Sequence, residues 1–520
     1  ALEFLPNSPT LMNADTGLQQ LAACFVLPVE DSIEGIFDAV KWAATVHQSG
    51  GGTGFSFSRL RPSGDKVGST MGQSSGPVSF MKVFDVATDA VRQGGRRRGA
   101  SMGVLRVDHP DIFDFIQMKG DLTTLSNFNI SVAITDEFMQ TVDEGGRFAL
   151  INPRNGQQMA SASAEEIFHE ICTSAWKTGD PGVIFIDEIN RHNPTPAIGA
   201  IESTNPCGEV PLLPFEACNL GSINLLQMVT RESDAHDIDW QKLDDTADMA
   251  VRFLDNVIDA GRYPLPQIEV MARGNRKIGL GVMGFADLLL RMGIRYGSDE
   301  SVALAHRIME RIRARAELSS THIAESRGSF PNIEGSRIQG PRRNATLLSI
   351  APTGTISMIA GCSSGIEPNY AFSYQRHVLD GEVLSETNQI FMEKLKEMSI
   401  DVGWVLEHLR ERRTIQDVDG LPASFKHVFV TAHEVRFEDQ VRMQAAFQDH
   451  VDNAVSKTIN LPHESTVDYV KEAFRLAHRL RCKGITVYRE GSKPGQTLTA
   501  GQQSTGCAVC GKLGLLSDGN

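Results

Sequence analysis

Long apolar runs are missing from this 520-residue sequence. No uninterrupted apolar stretch reaches about 18 residues, the length that a membrane-spanning helix needs. The first residues also lack an initiator Met and a basic stretch followed by an apolar one, which is the pattern of a signal peptide. We therefore expect a cytoplasmic protein without a membrane span. We also expect the chain to begin inside a folded region, with a further domain upstream.

An excess of basic residues and a high cysteine content are absent as well. The formal net charge is −14, which argues against a general DNA or RNA binder, because duplex binding relies on basic surface. Eight cysteines are too few for a secreted disulfide scaffold of this length. With 41% hydrophobic, 22% charged and 7% aromatic residues, the composition is that of a soluble globular protein. The length suits one very large domain or about three ordinary ones.

Helical and strand-like patterns alternate along the chain and predict a mixed α/β fold. Capped starts and helical apolar spacing predict helices over DSIEGIFDAVKWAATVHQ (31–48) and SAEEIFHEICTSAWKTG, the latter ending at Gly179. A third amphipathic helix is predicted over HESTVDYVKEAFRLAHRLRCKG, ending at Gly484, and ITVYRE is predicted as the strand that follows. FNISVAIT alternates like a half-buried strand, and PGVIFID is typical of a buried one.

The composition changes near residue 490. Residues 1–490 have globular composition, whereas 491–506 (GSKPGQTLTAGQQSTG) are rich in Gly, Ser, Thr and Gln and predict a flexible linker. The remaining residues, 507–520, contain the CxxC pair Cys507 and Cys510. A structural zinc site needs more ligands than this tail has, so a redox dithiol is favoured over zinc binding.

Two motifs resemble cofactor-binding signatures but lack residues that those signatures require. Gly279, Gly281 and Gly284 have GxGxxG spacing, but a basic RGNRK precedes them and a helical SVALAH lies where a dinucleotide site needs an acidic strand end. We predict close helix packing there instead. DAHDID comes close to the cobalamin-binding DxHxxG motif but has Asp239 where Gly belongs, and we predict a solvated loop. The sequence indicates no metal site.

The segment NPCGEVPLLPFEACNL combines cysteines with a glutamate. Asn205, Cys207 and Glu209 occupy every second position, and Cys218 follows eleven residues after Cys207. If the segment is extended, period-two spacing places an amide, a thiol and a carboxylate on one side, in a shared site. The alternative is a proline-broken loop whose cysteines are small buried hydrophobic residues.

Glycine-rich stretches with hydroxyls or arginines indicate anion binding. In APTGTISMIAG, Thr353 to Ser357 form a small-residue turn whose N–H and hydroxyl groups suit a phosphate, although an ordinary turn is equally compatible. QSGGGTGFSFSRLRP and RQGGRRRGASMG combine glycine with arginines, whose guanidinium groups fit phosphate bidentately. These arginines are Arg59, Arg61, Arg96, Arg97 and Arg98.

Six short segments of the sequence together resemble the catalytic subunit of ribonucleotide reductase. NSPTLMN (7–13), AACF (22–25), GGTGF (51–55), NPCGE (205–209), CNLGSINL (218–225) and PTGTIS (352–357) occur in the order of that family. The resemblance runs over almost the whole chain. It implies a ten-stranded α/β barrel of two five-stranded parallel halves set antiparallel, with a central finger loop carrying the active-site cysteine. It also implies that an amino-terminal helical domain, and any ATP-binding cone, would precede residue 1.

The resemblance implies a role for each residue of the reaction centre. Cys207 would carry the thiyl radical that takes the 3′ hydrogen of the substrate ribose. Glu209 would be the base at the 3′ hydroxyl, and Asn205 would hydrogen-bond the sugar and the glutamate. Cys24 and Cys218 would be the dithiol that reduces the 2′ position. A carboxylate that manages the 3′ proton and a dithiol that supplies electrons suit this chemistry.

The remaining contacts are also implied by the resemblance. The substrate would be held by Ser8, Thr10, Ala23, Gly52, Pro206 and Gly208, and its phosphates by Pro352, Thr353, Gly354, Thr355 and Ile356. Asp31, Arg59 and Arg61 would lie at an effector site for deoxyribonucleotides or ATP. Arg97, in the loop 93–99, would relay that effector's choice to the substrate. Thioredoxin or glutaredoxin would restore the dithiol through Cys507 and Cys510 by thiol–disulfide exchange, and a homodimer is expected.

The radical source follows from a finer resemblance. Metal-dependent members receive the radical from a second subunit through paired tyrosines, whereas none of the six tyrosines here are adjacent, and Ile459 and Asn460 stand at that place. Glycyl-radical members lack the Asn-x-Cys-x-Glu pattern. VSKTINLP, CKGITVYR and the terminal CxxC are similar to the adenosylcobalamin-dependent class, which implies adenosylcobalamin as cofactor and diphosphate substrates.

Three alternatives remain open at this point. The chain could be a metal-dependent large subunit with an unusual radical path, a nucleotide-binding regulatory relic, or a thiol-rich module with a zinc tail. Intact Cys24, Cys207, Glu209 and Cys218 argue against a relic. Cys172, Cys362 and Cys482 are predicted to be structural.

Overall fold

Ten strands pair into one mixed sheet in the computed structural model, which describes residues 2–68, 72–92, 99–121, 123–232, 235–377, 383–493 and 498–499. The chain divides into a large unit, Ala1–Pro368 with His433–Pro494, and a small unit, Asn369–Ala432 with Gly495–Asn520. The mixed sheet belongs to the large unit. No helix in the described ranges is long and apolar enough to cross a membrane.

The strands are β1 (Phe4–Pro6), β2 (Cys24–Leu27), β3 (Gly52–Ser56), β4 (Lys66–Val67), β5 (Gly72–Gln73), β6 (Ser101–Arg106), β7 (Phe128–Ile134), β8 (Arg147–Ile151), β9 (Gln158–Ser163), β10 (Gly182–Phe185), β11 (Ser203–Thr204), β12 (Pro211–Leu212), β13 (Ala217–Asn224), β14 (Val229–Glu232), β15 (Ala235–Ile238), β16 (Ile278–Met283), β17 (Ser373–His377), β18 (Val383–Thr387), β19 (Thr458–Leu461), β20 (Gly484–Arg489) and β21 (Leu498–Thr499).

The helices are α1 (Ser8–Asn13), α2 (Ile33–Gln48), α3 (Gly76–Arg92), α4 (Ile112–Gln117), α5 (Asp136–Glu144), α6 (Ala164–Thr178), α7 (Ile186–Arg191), α8 (Trp240–Ala260), α9 (Pro266–Asn275), α10 (Phe285–Met292), α11 (Asp299–Arg327), α12 (Gly354–Ala360), α13 (Gln389–Glu397), α14 (Val402–Glu411), α15 (Ala423–Val428), α16 (Phe437–Gln448) and α17 (Val467–Arg479).

The sheet of the large unit contains two sets of parallel strands. In the first parallel group, β2, β3, β6, β7 and β10 pair in that order. In the second parallel group, β13 pairs with β16 and β19 pairs with β20. The groups meet antiparallel at β2–β13 and at β10–β20, and β1 adds to β13. The expected α/β class is confirmed, in the form of a large mixed sheet.

Residues 346–350, here called the linking segment, lie between the two pairs of the second group. Leu348 bridges Leu280 of β16, and Ile350 bridges Val455 just before β19, both in parallel orientation. The carboxylate of Asp452 accepts hydrogen bonds from the N–H groups of Leu347 (2.8 Å) and Leu348 (3.1 Å). The linking segment is therefore held from both sides by the second group.

Two of the three GxGxxG glycines, Gly279 and Gly281, lie on β16, so the prediction of helix packing was wrong. A Cβ at position 281 would lie 2.2 Å from the carbonyl oxygen of Ser349, and one at 279 would lie 2.8 Å from the Ser349 Cβ. Gly279 and Gly281 therefore let the linking segment approach β16. Gly284 has φ +77° and stands where β16 turns into α10. The motif serves close packing of two backbone segments.

Two predicted helices are confirmed with their capping residues. The hydroxyl of Ser32 accepts a hydrogen bond from the N–H of Gly35 at the start of α2. Helix α6 begins after Ser163, whose hydroxyl accepts from the N–H of Glu166, and ends at left-handed Gly179. These local side-chain bonds are what the sequence pattern encodes.

Three other local predictions need correction. Helix α17 ends at Arg479 rather than Gly484, because the chain turns at left-handed Arg481 and Gly484 already begins β20. Strand β7 is buried throughout except at Asn129, rather than half-buried, because both faces of a parallel sheet are covered. DAHDID is not a loop in its described part, since β15 pairs antiparallel with β14.

Aromatic packing between the first group and its helices forms much of the core. Phe55, Phe57, Phe84 and Phe128 contact one another with ring centroids 4.9 to 6.4 Å apart. Burying a phenylalanine contributes about 1.5–3 kcal/mol relative to exposure. In the small unit, β17 pairs with β18 and β21.

We predict that Gly281→Ala destabilises the chain strongly, by about 3 kcal/mol, because the new methyl group would overlap the Ser349 carbonyl and backbone atoms on both sides are fixed. Urea unfolding followed by circular dichroism measures the change. Gly17→Ala is the matched control, since nothing lies within 4 Å of a Cβ at that position. Equal stability of the two variants would contradict the packing role.

Candidate active site

A tight hairpin presents the cysteine–glutamate segment. Strands β11 and β12 pair antiparallel, and the N–H of Asn205 donates to the carbonyl oxygen of Val210 at 3.2 Å. The Asn205 side-chain oxygen in turn accepts the Val210 N–H at 3.0 Å. Gly208 takes φ +83°, so the chain reverses at the tip. We call residues 203–212 the finger loop.

This hairpin corrects the assumption that 205–209 is extended. Cys207 is exposed at the tip, whereas Asn205 and Glu209 are each only 2% exposed. The amide of Asn205 donates to the sulfur of Cys24 at 3.1 Å, and the Cys24 thiol lies 4.0 Å from the Glu209 carboxylate. An amide, a thiol and a carboxylate do share a buried site, and Cys24 supplies a thiol to it.

Cys24 and Cys218 face each other across the antiparallel junction of the two groups. They are register partners in the β2–β13 ladder, and both are buried thiols. Side chains at opposed positions have Cβ atoms about 4.5–5.5 Å apart. A disulfide needs only a small approach from there. The pair can therefore release two electrons by closing.

Burial controls the protonation of both thiols. The pKa of Cys24 is raised well above its ordinary value, first by burial and then by the charge of Glu209, while the Asn205 hydrogen bond lowers it. The pKa of Cys218 is also raised by burial, against the charge of Lys277, which lowers it. Both sulfurs therefore carry their protons at neutral pH.

Contacts with the first parallel group fix the finger loop. A Cβ at Gly54 would lie 1.7 Å from the carbonyl oxygen of Thr204, and one at Gly52 would lie 2.9 Å from the Pro206 ring. The side-chain amide of Asn129 donates to the Pro206 carbonyl oxygen at 2.8 Å. The absence of side chains at Gly52 and Gly54 thus lets the finger loop lie against the sheet, and the amide of Asn129 holds it there.

The predicted substrate residues lie in three places: beside the finger loop, on α1 and in the turn 352–356. Gly52 donates its N–H to the carbonyl oxygen of Ala23 at 3.0 Å, so both lie beside Cys24 and Pro206. Ser8 opens α1, and the Thr10 hydroxyl is buried and donates to the Leu21 carbonyl oxygen at 2.9 Å. Helix α1 is thereby attached three residues before Cys24.

The turn that the sequence predicts to bind phosphate directly follows Ala351, a residue packed against the two buried thiols. Ala351 packs in one apolar cluster with Cys24 and Cys218. Thr353 then takes φ +56°, and its hydroxyl accepts the Gly365 N–H at 2.7 Å. Of the remaining turn residues, Gly354 and Thr355 are exposed, Ile356 is buried and Pro352 is half-buried.

The predicted effector residues form ion pairs. Asp31 binds the Arg61 Nε with both oxygens, at 2.9 and 3.1 Å. Arg59 binds Glu202 at 2.9 Å and Glu30 at 3.0 Å. Asp31 and Arg59 line a cavity of about 520 Å³ at the base of the finger loop, where Glu202 precedes β11. The guanidinium groups are thus neutralised by carboxylates within the chain.

Five residues singled out from the sequence lie outside the described ranges: Arg96, Arg97, Arg98, Cys507 and Cys510. Cys172 and Cys482 are fully buried core residues and Cys362 is half-buried. No group of three or more His, Cys, Asp or Glu among the described residues is arranged to hold a metal ion.

Two residues that contact the finger loop, Asn129 and Ser349, were not predicted from the sequence. Asn129 is the exposed polar member of an otherwise buried strand, and an amide within the mostly apolar FNISVAI is a signal that could have found it. Ser349 interrupts the apolar stretch LLSIA, and its hydroxyl donates to the Glu209 carbonyl oxygen at 2.9 Å. A buried hydroxyl in an apolar strand needs a partner, but the sequence does not say which one.

The fold and site define an α/β protein with a buried dithiol, a buried carboxylate and an exposed third thiol on a finger loop. The family model of the ribonucleotide reductase barrel domain matches residues 22–342 and 338–488. The chain is 52% identical over 509 residues to a vitamin B12-dependent ribonucleoside-diphosphate reductase of Thermoplasma acidophilum, covering 97% of this chain and 66% of that protein. It is 50% identical over 502 residues to a protein of that name from Mycobacterium tuberculosis, covering 96% and 72%.

A solved structure agrees on the fold. The alpha subunit of a class Id ribonucleotide reductase from Actinobacillus ureae matches with a TM-score of 0.78 at 22% identity, over 94% of this chain and 88% of that one. The chain belongs to the ribonucleotide reductase family, among its vitamin B12-dependent ribonucleoside-diphosphate reductases. It spans about two thirds of the length of those relatives.

We predict that mild oxidation with diamide joins Cys24 to Cys218, because the two thiols are register partners in one ladder. Differential alkylation after unfolding, followed by peptide mass spectrometry, identifies the bonded pair. Buried Cys172 and Cys482 should remain reduced. Cys218→Ser should leave Cys24 alkylatable, and a bond from Cys24 to any other cysteine in the unsubstituted chain would contradict the prediction.

Proposed function

We propose that this chain carries the catalytic centre of an adenosylcobalamin-dependent ribonucleoside-diphosphate reductase. The observation that carries the proposal is the buried contact of Cys24 with Asn205 and Glu209, with Cys218 opposite and Cys207 exposed nearby. The names of the relatives support both the cofactor and the diphosphate substrates. The overall reaction is ribonucleotide plus dithiol giving deoxyribonucleotide, disulfide and water.

Cys207 is the residue that takes the 3′ hydrogen. Among the described cysteines it alone is exposed, so its sulfur fits a radical source that approaches from outside the sheet. Adenosylcobalamin, when bound, supplies homolysis of its cobalt–carbon bond. Ile459 is buried in the core and Asn460 binds Gln440, so this strand offers no aromatic route from a second subunit.

Glu209, Cys24 and Cys218 carry out the steps on the sugar. The Glu209 carboxylate, held out of water, accepts the 3′ hydroxyl proton while Asn205 orients the sugar. The 2′ carbon–oxygen bond breaks, and the hydroxyl leaves as water with a proton from the thiol of Cys24. The two electrons come from Cys24 and Cys218 as their sulfurs join, and Cys207 returns hydrogen to the 3′ carbon.

The substrate lies between three parts of the chain. Ala23, Gly52, Pro206 and Gly208 border the sugar with backbone groups and small side chains, and Ser8 and Thr10 approach from α1. The turn Pro352 to Ile356 binds the diphosphate with exposed N–H groups. Its place directly after Ala351 supports this assignment.

The linking segment completes the barrel. It supplies the fifth strand of the second group, so that two five-stranded parallel halves close into a ring around the finger loop. The bridges of Leu348 to β16 and of Ile350 to Val455 support this closure. The closed ring keeps the buried contact of Glu209 with Cys24 away from bulk water.

Regulation and reactivation involve residues toward the surface and the terminus. Deoxyribonucleotides or ATP bind near Asp31, Arg59 and Arg61, and Arg97 transmits their identity to the substrate in a homodimer. A phosphate there must displace carboxylates from the guanidinium groups. Cys507 and Cys510 reduce the Cys24–Cys218 disulfide and are themselves reduced by thioredoxin or glutaredoxin.

We predict that deoxyribonucleotide formation from ribonucleoside diphosphates requires added adenosylcobalamin and a small dithiol. Cys207→Ala should abolish it, because no other exposed thiol among the described residues stands at the finger-loop tip. Cys362→Ala, also a loss of one thiol, is the control and should remain active. Activity that needs a separate metal-containing subunit instead would favour the metal-dependent class.

A double change of Cys507 and Cys510 to Ser tests the reductant path. We expect activity with a small dithiol to stay within about twofold, while activity with thioredoxin falls about tenfold or more, because only the protein reductant needs the tail. Steady-state rates with both reductants measure this. Equal losses with both would exclude the shuttle role.

A further inference from the structure

The linking segment contacts the finger loop through one buried hydroxyl. Ser349 is 0% exposed and lies between Leu348 and Ile350, which bridge to the strands on either side. Its N–H donates to the Leu280 carbonyl oxygen at 3.1 Å, so its backbone is fixed on β16. The absence of side chains at Gly279 and Gly281 brings it to this position.

The hydroxyl of Ser349 donates to the main-chain oxygen of Glu209 at 2.9 Å. The N–H of Ala454 donates to the same oxygen, also at 2.9 Å. Both donors lie in segments attached to the second parallel group. Thr204 and Pro206 of the finger loop contact the first parallel group instead. The Glu209 carbonyl is therefore where the returning limb of the finger loop attaches to the second half.

The orientation of this carbonyl determines where the Glu209 side chain begins. The direction of a peptide group limits the direction of the Cα–Cβ bond beside it, since only two backbone dihedrals per residue are soft. The Glu209 carboxylate must stay close to Cys24, and displacing a reacting group by about 1 Å costs about 10²-fold in rate. A single neutral hydrogen bond is thus enough to influence the reaction.

We propose that Ser349 is a positioning residue for Glu209, whose hydroxyl fixes the main chain from which the carboxylate reaches the 3′ hydroxyl of the substrate. This inference rests on the proposed role of Glu209. Ser349 does not touch the substrate and acts through Glu209. Ala454 alone would leave the carbonyl with one donor and more freedom to rotate.

The test compares Ser349→Ala with Ser222→Ala in the full chain. Ser222 is equally buried, lies on β13, and its hydroxyl has no hydrogen-bond partner among the described residues. We expect Ser349→Ala to lower kcat about tenfold, equivalent to about 1.4 kcal/mol, with KM changed less than about twofold. Ser222→Ala should keep the original kcat. The assay uses a ribonucleoside diphosphate, adenosylcobalamin and a small dithiol.

Two further measurements separate positioning from folding. Both serine variants should melt within about 3 °C of the original chain, and a much lower melting temperature for Ser349→Ala alone would overturn the proposal. In a Glu209→Asp background, Ser349→Ala should cost less than about twofold, because the carboxylate is already displaced. An undiminished tenfold loss there would also overturn it, since the hydroxyl would then act elsewhere.

The outcomes also distinguish this inference from the proposed function. If Glu209→Gln retains full activity, the role of Glu209 fails and the inference fails with it. If Glu209→Gln is inactive but Ser349→Ala equals Ser222→Ala, only the inference fails. A tenfold loss that disappears in the Glu209→Asp background supports both.

Discussion

The carbonyl oxygen of Thr204 occupies the place where a side chain at position 54 would begin. A Cβ there would lie 1.7 Å away, so the finger loop can lie against β3 only because that residue is glycine. The rest of the site depends on this contact. It places Pro206 on Gly52, it lets Asn129 bind the Pro206 carbonyl, and it brings Asn205 to Cys24. A larger residue at 54 would move all three contacts together.

Because the contact with Gly54 lets the finger loop lie deep against the sheet, it also determines the electrostatics of the site. Asn205 and Glu209 are almost fully buried, and Cys24 beside them has a raised pKa because water is excluded. A thiol that keeps its proton can donate it, and a carboxylate out of water gains from every nearby donor. Cys207, one turn away at the tip, remains exposed. One hairpin therefore supplies two environments, a buried one that suits the proposed proton transfer and an accessible one that suits the proposed radical.

Local elements and the family could be predicted from the sequence, but the spatial arrangement of the candidate site residues could not. Capped helices such as α2 and α6 follow from neighbouring side chains, and six ordered motifs indicate the family. The period-two argument for Asn205, Cys207 and Glu209 assumed extended backbone and missed the turn at Gly208. Gly279 and Gly281 have the spacing of a dinucleotide-binding motif. They are needed, however, because a segment about 70 residues later packs on them. Contacts between distant segments, such as Ser349 with Glu209, leave no local pattern to read.

The position of the dithiol at the junction of the two groups has a mechanical reason. The β2–β13 ladder contains two register pairs, Ala217 with Phe25 and Cys218 with Cys24, whereas β13 and β16 share six. In the proposed reaction, closing and opening a disulfide changes the separation of the two sulfurs in every turnover, and a short ladder can follow this change at little cost. Within either parallel group the same movement would disturb a longer set of hydrogen bonds and the core behind it. The antiparallel junction thus combines opposed side chains with the freedom that a reversible bond requires.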